Sequence, residues 1–463
     1  MSSSPLMVSV SGIRGIVGGS LHPEAIVRYT AAYATWLRRR GAAAGTPVVV
    51  GRDGRPSGRM VLDLVKGVLS AAGLEAVDLG VSTTPGTAMA VGAQRAAGGI
   101  VITASHNPAP WNALKFLDDA GDFLAPALGQ EVLAVEASGD FHWEGHAGLG
   151  GFRRWTDANR HHVDAILALP AVEPAAIAAR GFRAVVDAVN ASGSEAMPLL
   201  LDALGVGCSK LYCDGSGDFP HNPEPTPAHL ADLAAAVRAE KADLGLAVDP
   251  DSDRLVLVDE NGRVLSEELT LALAVDYYLG TRPGPVAANL STSRRIDDVA
   301  ARHRQVCHRS PVGEAHVVAA MRAAGAVIGG EGNGGVILPE LHAGRDGLVG
   351  TALVLAAMAS TGRPLSALAD ALPDYRMEKR RLDLAARVDS ARLVELATRH
   401  FDGAALDTRD GVKASYGEGW IHVRASNTEA ILRLIGESED GAWLKRRLDD
   451  AEVFFSGALA GGD

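Results

Sequence analysis

Three carboxylates alternate in Asp249-Pro250-Asp251-Ser252-Asp253-Arg254 at the edge of an apolar run. Far upstream, a serine follows another apolar run, Gly99-Ile100-Val101-Ile102, within Thr103-Ala104-Ser105-His106-Asn107-Pro108. In an extended backbone Asp249, Asp251 and Asp253 share a face, while Pro250 favours a turn or an edge. Three hard oxygen donors with no His or Cys set beside them suit magnesium better than zinc. A solvated acidic turn would have the same appearance. Ser105, at the end of a buried strand, would hold a hydroxyl at the mouth of a cleft; a serine before His-Asn-Pro can also simply cap a turn. Taken together, the two segments suggest a serine that works beside a hard metal ion. Lys115 could bring an ammonium near a phosphoryl group, or be a solvated lysine.

Two further clusters point to anion and sugar recognition. Arg424-Ala425-Ser426-Asn427-Thr428-Glu429, with Arg433 beyond, gathers guanidinium groups, hydroxyls and turn amides able to grip a phosphate. The same residues also read as a helix start with Ser426 or Asn427 as N-cap, and a helix N-terminus is itself an anion site. Gly330-Glu331-Gly332-Asn333-Gly334-Gly335 lacks the lysine of a P-loop and the spacing of the dinucleotide motif. Its glycines would let backbone approach a ligand, and Glu331 and Asn333 could hydrogen-bond sugar hydroxyls. A flexible turn is the alternative. His316 could carry a proton near neutral pH or be structural.

The elements that must position these residues alternate between strand-like and helix-like segments up to about residue 370, which indicates α/β layers. Residues 47–51 and 100–102 read as strands, and 23–39 and 57–72 as helices. Between residues 124 and 153 the pattern weakens into Gly-rich sequence, and it resumes with the strand at 184–187. Residues 243–258 read as two short strands joined at the acidic cluster, with a turn at Asn261-Gly262. The third segment holds 286–290 and a helix over 313–324, and Pro373 breaks the helix over 365–372. The expected domains are 1–155, 156–258, 259–370 and a smaller α+β segment over 371–463.

The 463 residues exceed one hydrophobic core, and 47% apolar with 22% charged residues exclude wholesale disorder. A net charge of -12 argues against a general nucleic-acid or membrane-surface binder, so an anionic small substrate needs local basic clusters. The N-terminus shows no secretory signal, and the apolar run at 348–359 is too short for a membrane span and reads as a buried helix. Cys208, Cys213 and Cys307 lack zinc spacing and read as reduced thiols, consistent with a cytoplasmic enzyme.

Read in order, the clusters resemble the α-D-phosphohexomutase family of phosphoglucomutases, phosphomannomutases and phosphoglucosamine mutases. Ser11-Gly12-Ile13-Arg14-Gly15 is similar to its N-terminal motif, TASHNP to its phosphoserine loop, DPDSDR to its magnesium loop, GEGNGG to its sugar-binding loop and RASNTEA to its phosphate-binding loop. The resemblance runs almost end to end. It implies three related α/β domains with mixed sheets and a smaller C-terminal α+β domain around a central cleft. By resemblance, Ser105 is the phosphorylated residue and a metal ligand with Asp249, Asp251 and Asp253. Glu331 and Asn333 meet the sugar, and Arg424, Ser426, Asn427, Thr428 and Arg433 hold the non-reacting phosphate. Arg14, Lys115 and Arg254 support charge at the transferring group.

Where many bacterial members carry Ser-Gly-His, this chain has Asn333-Gly334-Gly335, which resembles an archaeal-type branch and leaves His316 and Lys115 as candidate proton carriers. Ala425 and Ala430 replace prolines common in the phosphate loop.

The implied reaction interconverts hexose 1-phosphate and 6-phosphate through a bound sugar 1,6-bisphosphate that turns around, with magnesium as cofactor. Closure of the fourth domain would shield phosphoserine from water. The substrate leans to glucosamine phosphate, with mannose and glucose phosphates close behind. A phosphosugar phosphatase and a sugar-phosphate-binding protein without turnover are the competing readings. No nucleophile-elbow motif accompanies Ser105 to support a serine hydrolase.

Overall fold

In the computed structural model, residues 5–9, 12–426 and 430–460 are described. The chain has a four-domain α/β architecture with mixed sheets, and its contacts divide it into two compact units: Met1–Thr281 with Asn333–Ala369, and Arg282–Gly332 with Asp370–Asp463.

The first unit opens with a seven-stranded sheet of β1 (Met7–Ser9), β2 (Gly12–Ile16), β3 (Pro47–Arg52), β4 (Glu75–Val81), β5 (Gly99–Ile102), β6 (Trp111–Leu117) and β7 (Phe152–Arg154). Its spatial order is β1-β2-β6-β5-β3-β4-β7, parallel around β3 and antiparallel from β5 outward through β6 to β1. Alternating side chains of β3 feed opposite layers, as the two-residue period of a strand requires. Val48 and Val50 pack with Ile26, Tyr33, Leu62 and Leu69 of helices α1 (Pro23–Arg39) and α2 (Gly58–Ala71). Val49 packs with Ala90, Val91 and Ala158 of helices α3 (Thr84–Ala93) and α5 (Ala158–Leu167). Each such aliphatic side chain contributes roughly 1.5–3 kcal/mol on burial.

Helix α4 (Pro126–Ser138) occupies part of the segment whose pattern weakens in the sequence. Proline in its first turn and Gly139 in the left-handed conformation mark its ends, and only Gly129, Val132 and Val135 are buried.

The second sheet consists of β8 (Arg183–Asp187), β9 (Gly207–Leu211), β10 (Leu244–Val248) and β11 (Leu255–Asp259), in the order β11-β10-β8-β9. Helices α6 (Pro174–Ala178), α7 (Gly193–Ala203), α8 (Ala231–Glu240) and α9 (Glu267–Thr281) accompany it. The pairs β8–β9 and β8–β10 are parallel and β10–β11 is antiparallel. The first two sheets therefore share a device: a buried strand, β5 or β10, is followed by an antiparallel partner, and the loop between the two holds Ser105 in one case and Asp249, Asp251 and Asp253 in the other.

The hairpin β15 (Gly335–Leu338) and β16 (His342–Arg345) and helices α12 (Gly347–Thr361) and α13 (Leu365–Ala369) complete this unit. Residues 347–358 of α12 are all buried, so the apolar run expected to be a buried helix is one. No helix among the described residues is long and apolar enough to cross a membrane.

In the second unit, β12 (Val286–Asn289) pairs in parallel with β13 (Cys307–Ser310) and β14 (Ile328–Glu331), with helices α10 (Arg295–Arg302) and α11 (Glu314–Ala324) between them in the chain. The C-terminal part is antiparallel throughout, in the order β17-β21-β20-β19-β18. These strands are β17 (Arg376–Asp383), β18 (Ala405–Asp407), β19 (Val412–Ser415), β20 (Gly419–Ala425) and β21 (Ile431–Ser438). Helices α14 (Ser390–His400) and α15 (Gly441–Ala460) share a core with them around Leu396, Ile421, Leu434, Leu444 and Phe455.

Candidate active site

The first unit brings Ser105, Lys115, Asp249, Asp251 and Asp253 together. Ser105 Oγ donates to Asp249 Oδ2 at 2.8 Å, and Lys115 Nζ donates to Asp251 Oδ2 at 2.9 Å. Three ligand oxygens, one from each aspartate, lie within 4.8 Å of one another, and all three residues are fully buried. Asp251 Oδ1 and Asp253 Oδ1 are buried and accept no hydrogen bond. A buried carboxylate oxygen without a partner is costly, and a cation held among the three carboxylates would satisfy both. This donor set fits magnesium: hard oxygens, few protein ligands, and room for phosphoryl oxygens.

Local backbone geometry aims the loops. Ser105 and Ser252 adopt left-handed φ angles of 49° and 58°, uncommon for residues other than glycine and typical of functional turns. Thr103 Oγ1 accepts from Ser105 N at 2.8 Å and donates to Asp53 Oδ2 at 2.7 Å. Asp53 in turn pairs with Arg55, whose side chain is wholly buried. The Arg55 fork donates to the carbonyls of Ser105, Asn107, Pro108 and Trp111, spanning the whole serine loop. On the acidic loop, Ser192 Oγ donates to the Pro250 carbonyl at 2.7 Å, and Thr84 at the start of α3 meets Asp251 through both its amide (2.8 Å, to the carbonyl) and its hydroxyl (2.7 Å, to Oδ2).

Cations surround the carboxylates. Arg14 and Lys115 occupy neighbouring antiparallel strands, where the pairing of Gly12 with Lys115 and of Arg14 with Ala113 puts both side chains on one face. Arg14 Nη1 reaches Asn107 Oδ1 at 2.8 Å. Arg345 Nη2 reaches Asp253 Oδ2 at 2.5 Å, and Arg254 Nε lies 3.7 Å from Asp253 and 4.0 Å from Asp249. Burial, and then its acidic neighbours Asp253 and Asp251, push Asp249 well above the usual carboxylate range. Burial alone would raise Asp251 as well, but the Lys115 ammonium and the Thr84 hydroxyl hold it low. Burial, with Arg254 and Arg14 nearby, drives His106 down to about 2, so the imbalance around Ser105 is not relieved by protonating its neighbour. The arrangement can hold a dianionic group on Ser105 among cations.

Asn333 belongs to this unit too: its side-chain oxygen accepts from Gly335 N at 3.2 Å. The following Gly334 has φ +87, and a Cβ there would lie 2.3 Å from the Leu255 carbonyl oxygen, which glycine alone avoids. Leu255 N donates back to Gly334 O at 3.0 Å, tying the Gly-rich segment to the strand that leaves the acidic loop.

In the second unit Glu331 is buried, and its Oε1 accepts from Asn289 Nδ2 at 2.8 Å and Gly313 N at 3.1 Å, a fixed carboxylate and not a floppy loop residue. His316 lies exposed in the first turn of α11. Arg424 and Arg433 face each other across β20 and β21, and Arg424 Nε pairs with Asp410 Oδ2 at 3.1 Å. Two guanidinium groups at one cross-strand position repel unless an anion sits between or beside them. Ser426 N donates to Ile431 O at 3.0 Å. The helix start considered at Ser426 or Asn427, with Glu429 in its first turn, falls on residues 427–429, outside the described residues; from Ile431 the chain is strand β21, whose alternating Leu432 and Leu434 bury one face. Asn427 and Thr428, together with Ser11 of the N-terminal motif, lie outside the described residues.

Sequence reading did not single out Asp53, Arg55, Thr84 or Arg345. The visible signal was Asp53-Gly54-Arg55 directly after a buried strand, the same position in the fold that Ser105 and Asp249 occupy.

Comparison with known proteins places the chain in a family. Models of the phosphoglucomutase/phosphomannomutase α/β/α domains I, II and III match residues 6–142, 160–262 and 267–375, and that of the C-terminal domain matches 377–452. A phosphoglucomutase/phosphomannomutase of Thermococcus kodakarensis is 36% identical over 97% of this chain and 98% of its own. A probable phosphoglucosamine mutase of Methanopyrus kandleri is 35% identical over 93% of both chains. The crystal structure of a phosphoglucomutase/phosphomannomutase family protein from Burkholderia thailandensis superposes with TM-score 0.86 at 28% identity, covering 99% of each chain. The protein is thus an isomerase of the mutase class. It belongs to the α-D-phosphohexomutase family.

Proposed function

We propose that the protein interconverts hexose 1-phosphate and hexose 6-phosphate by way of a phosphoserine at Ser105 and a bound 1,6-bisphosphate, with glucosamine phosphate as preferred sugar. The observation that carries the reading is the Ser105 hydroxyl held in a left-handed turn, 2.8 Å from one member of a buried carboxylate trio in which Asp251 Oδ1 and Asp253 Oδ1 accept no hydrogen bond. Asp249, Asp251, Asp253 and the oxygens on Ser105 would hold Mg²⁺, which when bound neutralises charge on the transferring phosphoryl group.

Arg55 and Thr103 fix the serine loop, and Arg14, Lys115 and Arg254 oppose the phosphoryl charge. A sugar hydroxyl attacks phosphorus in line, the Ser105 Oγ–P bond breaks with its electron pair going to Oγ, and the hydroxyl gives up its proton. Of the two candidate proton carriers, the His316 imidazole would accept that proton and the Lys115 ammonium would donate one to the departing Ser105 Oγ. Arg424, Arg433, Ser426, Asn427 and Thr428 would grip the non-reacting phosphate, and Glu331 and Asn333 the sugar. Two phosphate positions are what an exchange of ends requires and a simple phosphatase does not.

Incubation of glucosamine, mannose and glucose 1-phosphates with the protein, Mg²⁺ and a trace of the matching bisphosphate tests the proposal. The expected product is the 6-phosphate, with the highest kcat/KM for glucosamine. Free phosphate without 6-phosphate would sink the mutase reading. Greater turnover of the mannose or glucose ester would favour the second reading, supported by the similarity to the Thermococcus kodakarensis phosphoglucomutase/phosphomannomutase.

A further inference from the structure

Away from the aspartate trio, a second set of ligand-type side chains converges in the first unit. His162 lies on α5, His342 opens β16, and Asp346 caps the N-terminus of α12. His162 Nε2 is 2.7 Å and His342 Nε2 3.2 Å from the same oxygen, Asp346 Oδ2. One ligand atom from each of the three lies within 4.8 Å of the others. The side chains of His162 and Asp346 are fully buried, and that of His342 is 12% exposed, so the cluster is enclosed yet reachable from one side. The two imidazole planes stand at 85° with centroids 6.2 Å apart, so the rings approach the shared oxygen from different directions.

Asp346 is fixed before any ligand arrives. Its Oδ1 accepts from Leu348 N at 2.8 Å and Val349 N at 3.1 Å, which leaves Oδ2 aimed at the imidazoles. Metal-ligating carboxylates are held in this way, by hydrogen bonds to the oxygen that does not coordinate. Hydrogen bonding alone accounts poorly for His162. With Nε2–H given to Asp346, its Nδ1 is buried without a partner, and so is the side-chain oxygen of Asn159, three residues earlier on the same helix. Side chains at that spacing are neighbours on a helix surface. An imidazole bound to a cation through Nε2 carries its proton on Nδ1 and seeks an acceptor, the role Asn159 Oδ1 is free to fill.

We propose that His162, His342 and Asp346 form a divalent transition-metal site, separate from the aspartate trio and selective for Zn²⁺, Co²⁺ or Ni²⁺ over Mg²⁺. Two neutral imidazoles and one monodentate carboxylate are borderline donors that such ions bind at about 2.0–2.2 Å, whereas Mg²⁺ prefers an all-oxygen shell. Bonds of that length in a tetrahedral shell hold ligand atoms roughly 3.3–3.6 Å apart, so His162 Nε2 and Asp346 Oδ2 move slightly outward from their present 2.7 Å to admit the ion.

The site bears on the aspartate loop through the start of α12. Arg345, adjoining Asp346, pairs with Asp253, and Gly347 N donates to the Ser252 carbonyl at 3.0 Å. Occupancy would cross-link α5, β16 and the N-terminus of α12, and so brace the helix that abuts the loop. The role is structural, since the three donors form no part of the phosphoryl machinery proposed above.

The test uses the full chain, stripped with chelator and dialysed against Co²⁺ or Zn²⁺ with excess Mg²⁺ to occupy the aspartate trio. Elemental analysis should find about one retained ion per chain, the Co²⁺ form should show the visible absorption of a low-coordinate nitrogen-containing site, and Tm should rise. His342→Gln keeps a hydrogen-bond donor toward Asp346 but is a poor ligand, so it should fold with little change in the metal-free Tm and bind Co²⁺ at least about tenfold more weakly. His162→Gln, a change at a buried position, should lose the absorption band as well. Failure of the wild type to retain Co²⁺ or Zn²⁺ under excess Mg²⁺, or equal retention by wild type and His342→Gln, would overturn the proposal and leave a hydrogen-bonded cap.

Discussion

Replacing Arg55 by lysine preserves the charge beside Asp53 but removes the planar fork. In the native loop Arg55 Nε donates to Asp53 at 2.8 Å, Nη1 to the carbonyls of Pro108 (2.9 Å) and Trp111 (3.1 Å), and Nη2 to those of Ser105 and Asn107. An ammonium on a flexible stem can keep the Asp53 contact and one carbonyl at most. Three or four charge-assisted hydrogen bonds are then lost, each worth roughly 1.5–3 kcal/mol when the partner is buried. Part of that loss is recovered as water enters, and the remainder appears as a serine loop free to shift.

A displacement of about 1 Å at a reacting atom costs on the order of 100-fold in rate. Arg55→Lys should therefore lower single-turnover phosphoryl transfer by about 100-fold, with KM changed by less than about threefold because the residues proposed to hold the sugar and the distal phosphate are others. The assay is rapid-quench transfer with the phosphorylated enzyme, run beside circular dichroism to confirm folding. A folded variant that transfers phosphate within about threefold of wild type would refute the idea that Arg55 aims Ser105.

Lys413 and Gly334 give independent checks. Burial, and then Arg309, drive Lys413 down to about 7, against an unfolded value near 10.4, so between these limits the unfolded chain binds more protons and stability rises with pH. Its ammonium faces the Leu290 carbonyl at 2.7 Å and the Trp420 ring, with Asp297, Glu437 and Cys307 also acting on it. Denaturant midpoints measured from pH 7 to 10 should climb, with a slope of up to about 1.4 kcal/mol per unit, and Lys413→Met should flatten the climb. A slope unchanged in the variant would assign it elsewhere. Gly334→Ala forces a Cβ to within 2.3 Å of the Leu255 carbonyl at a left-handed φ, and should lower stability by more than about 1 kcal/mol. An unchanged Tm would show that the Gly-rich segment yields freely.

Much of the fold is legible in local pattern. Helix α1 spans the residues its proline start and apolar spacing indicate, and β10 and β11 meet at the acidic loop as two buried apolar runs around polar residues must. Strand β6 was missed because Lys115 interrupts its apolar alternation, and that lysine is there to reach Asp251. Helix α4 was missed because it buries only three residues, too few to leave a strong periodic signal. From Ile431 onward, cross-strand burial of Leu432 and Leu434 makes strand β21.

Of the site, residues with distinctive chemistry in a short motif, such as Ser105 and the three aspartates, could be read directly. Arg55 could not, since a buried arginine and an exposed one look alike until the carbonyls it meets are placed. The grouping of His162 with His342 and Asp346 joins residues about 180 positions apart, a pairing only the packing of α5 against the start of α12 creates.

The central claim is that Ser105 carries the phosphoryl group. Intact mass analysis after incubation with glucose 1,6-bisphosphate and Mg²⁺, followed by addition of unlabelled hexose 1-phosphate, measures it most directly. The account predicts one added phosphoryl group on wild type, localised to Ser105, absent in Ser105→Ala, and discharged onto the sugar to give bisphosphate. Turnover of 1-phosphate to 6-phosphate by Ser105→Ala at the wild-type rate, or a phosphoryl group that leaves only as inorganic phosphate, would contradict it.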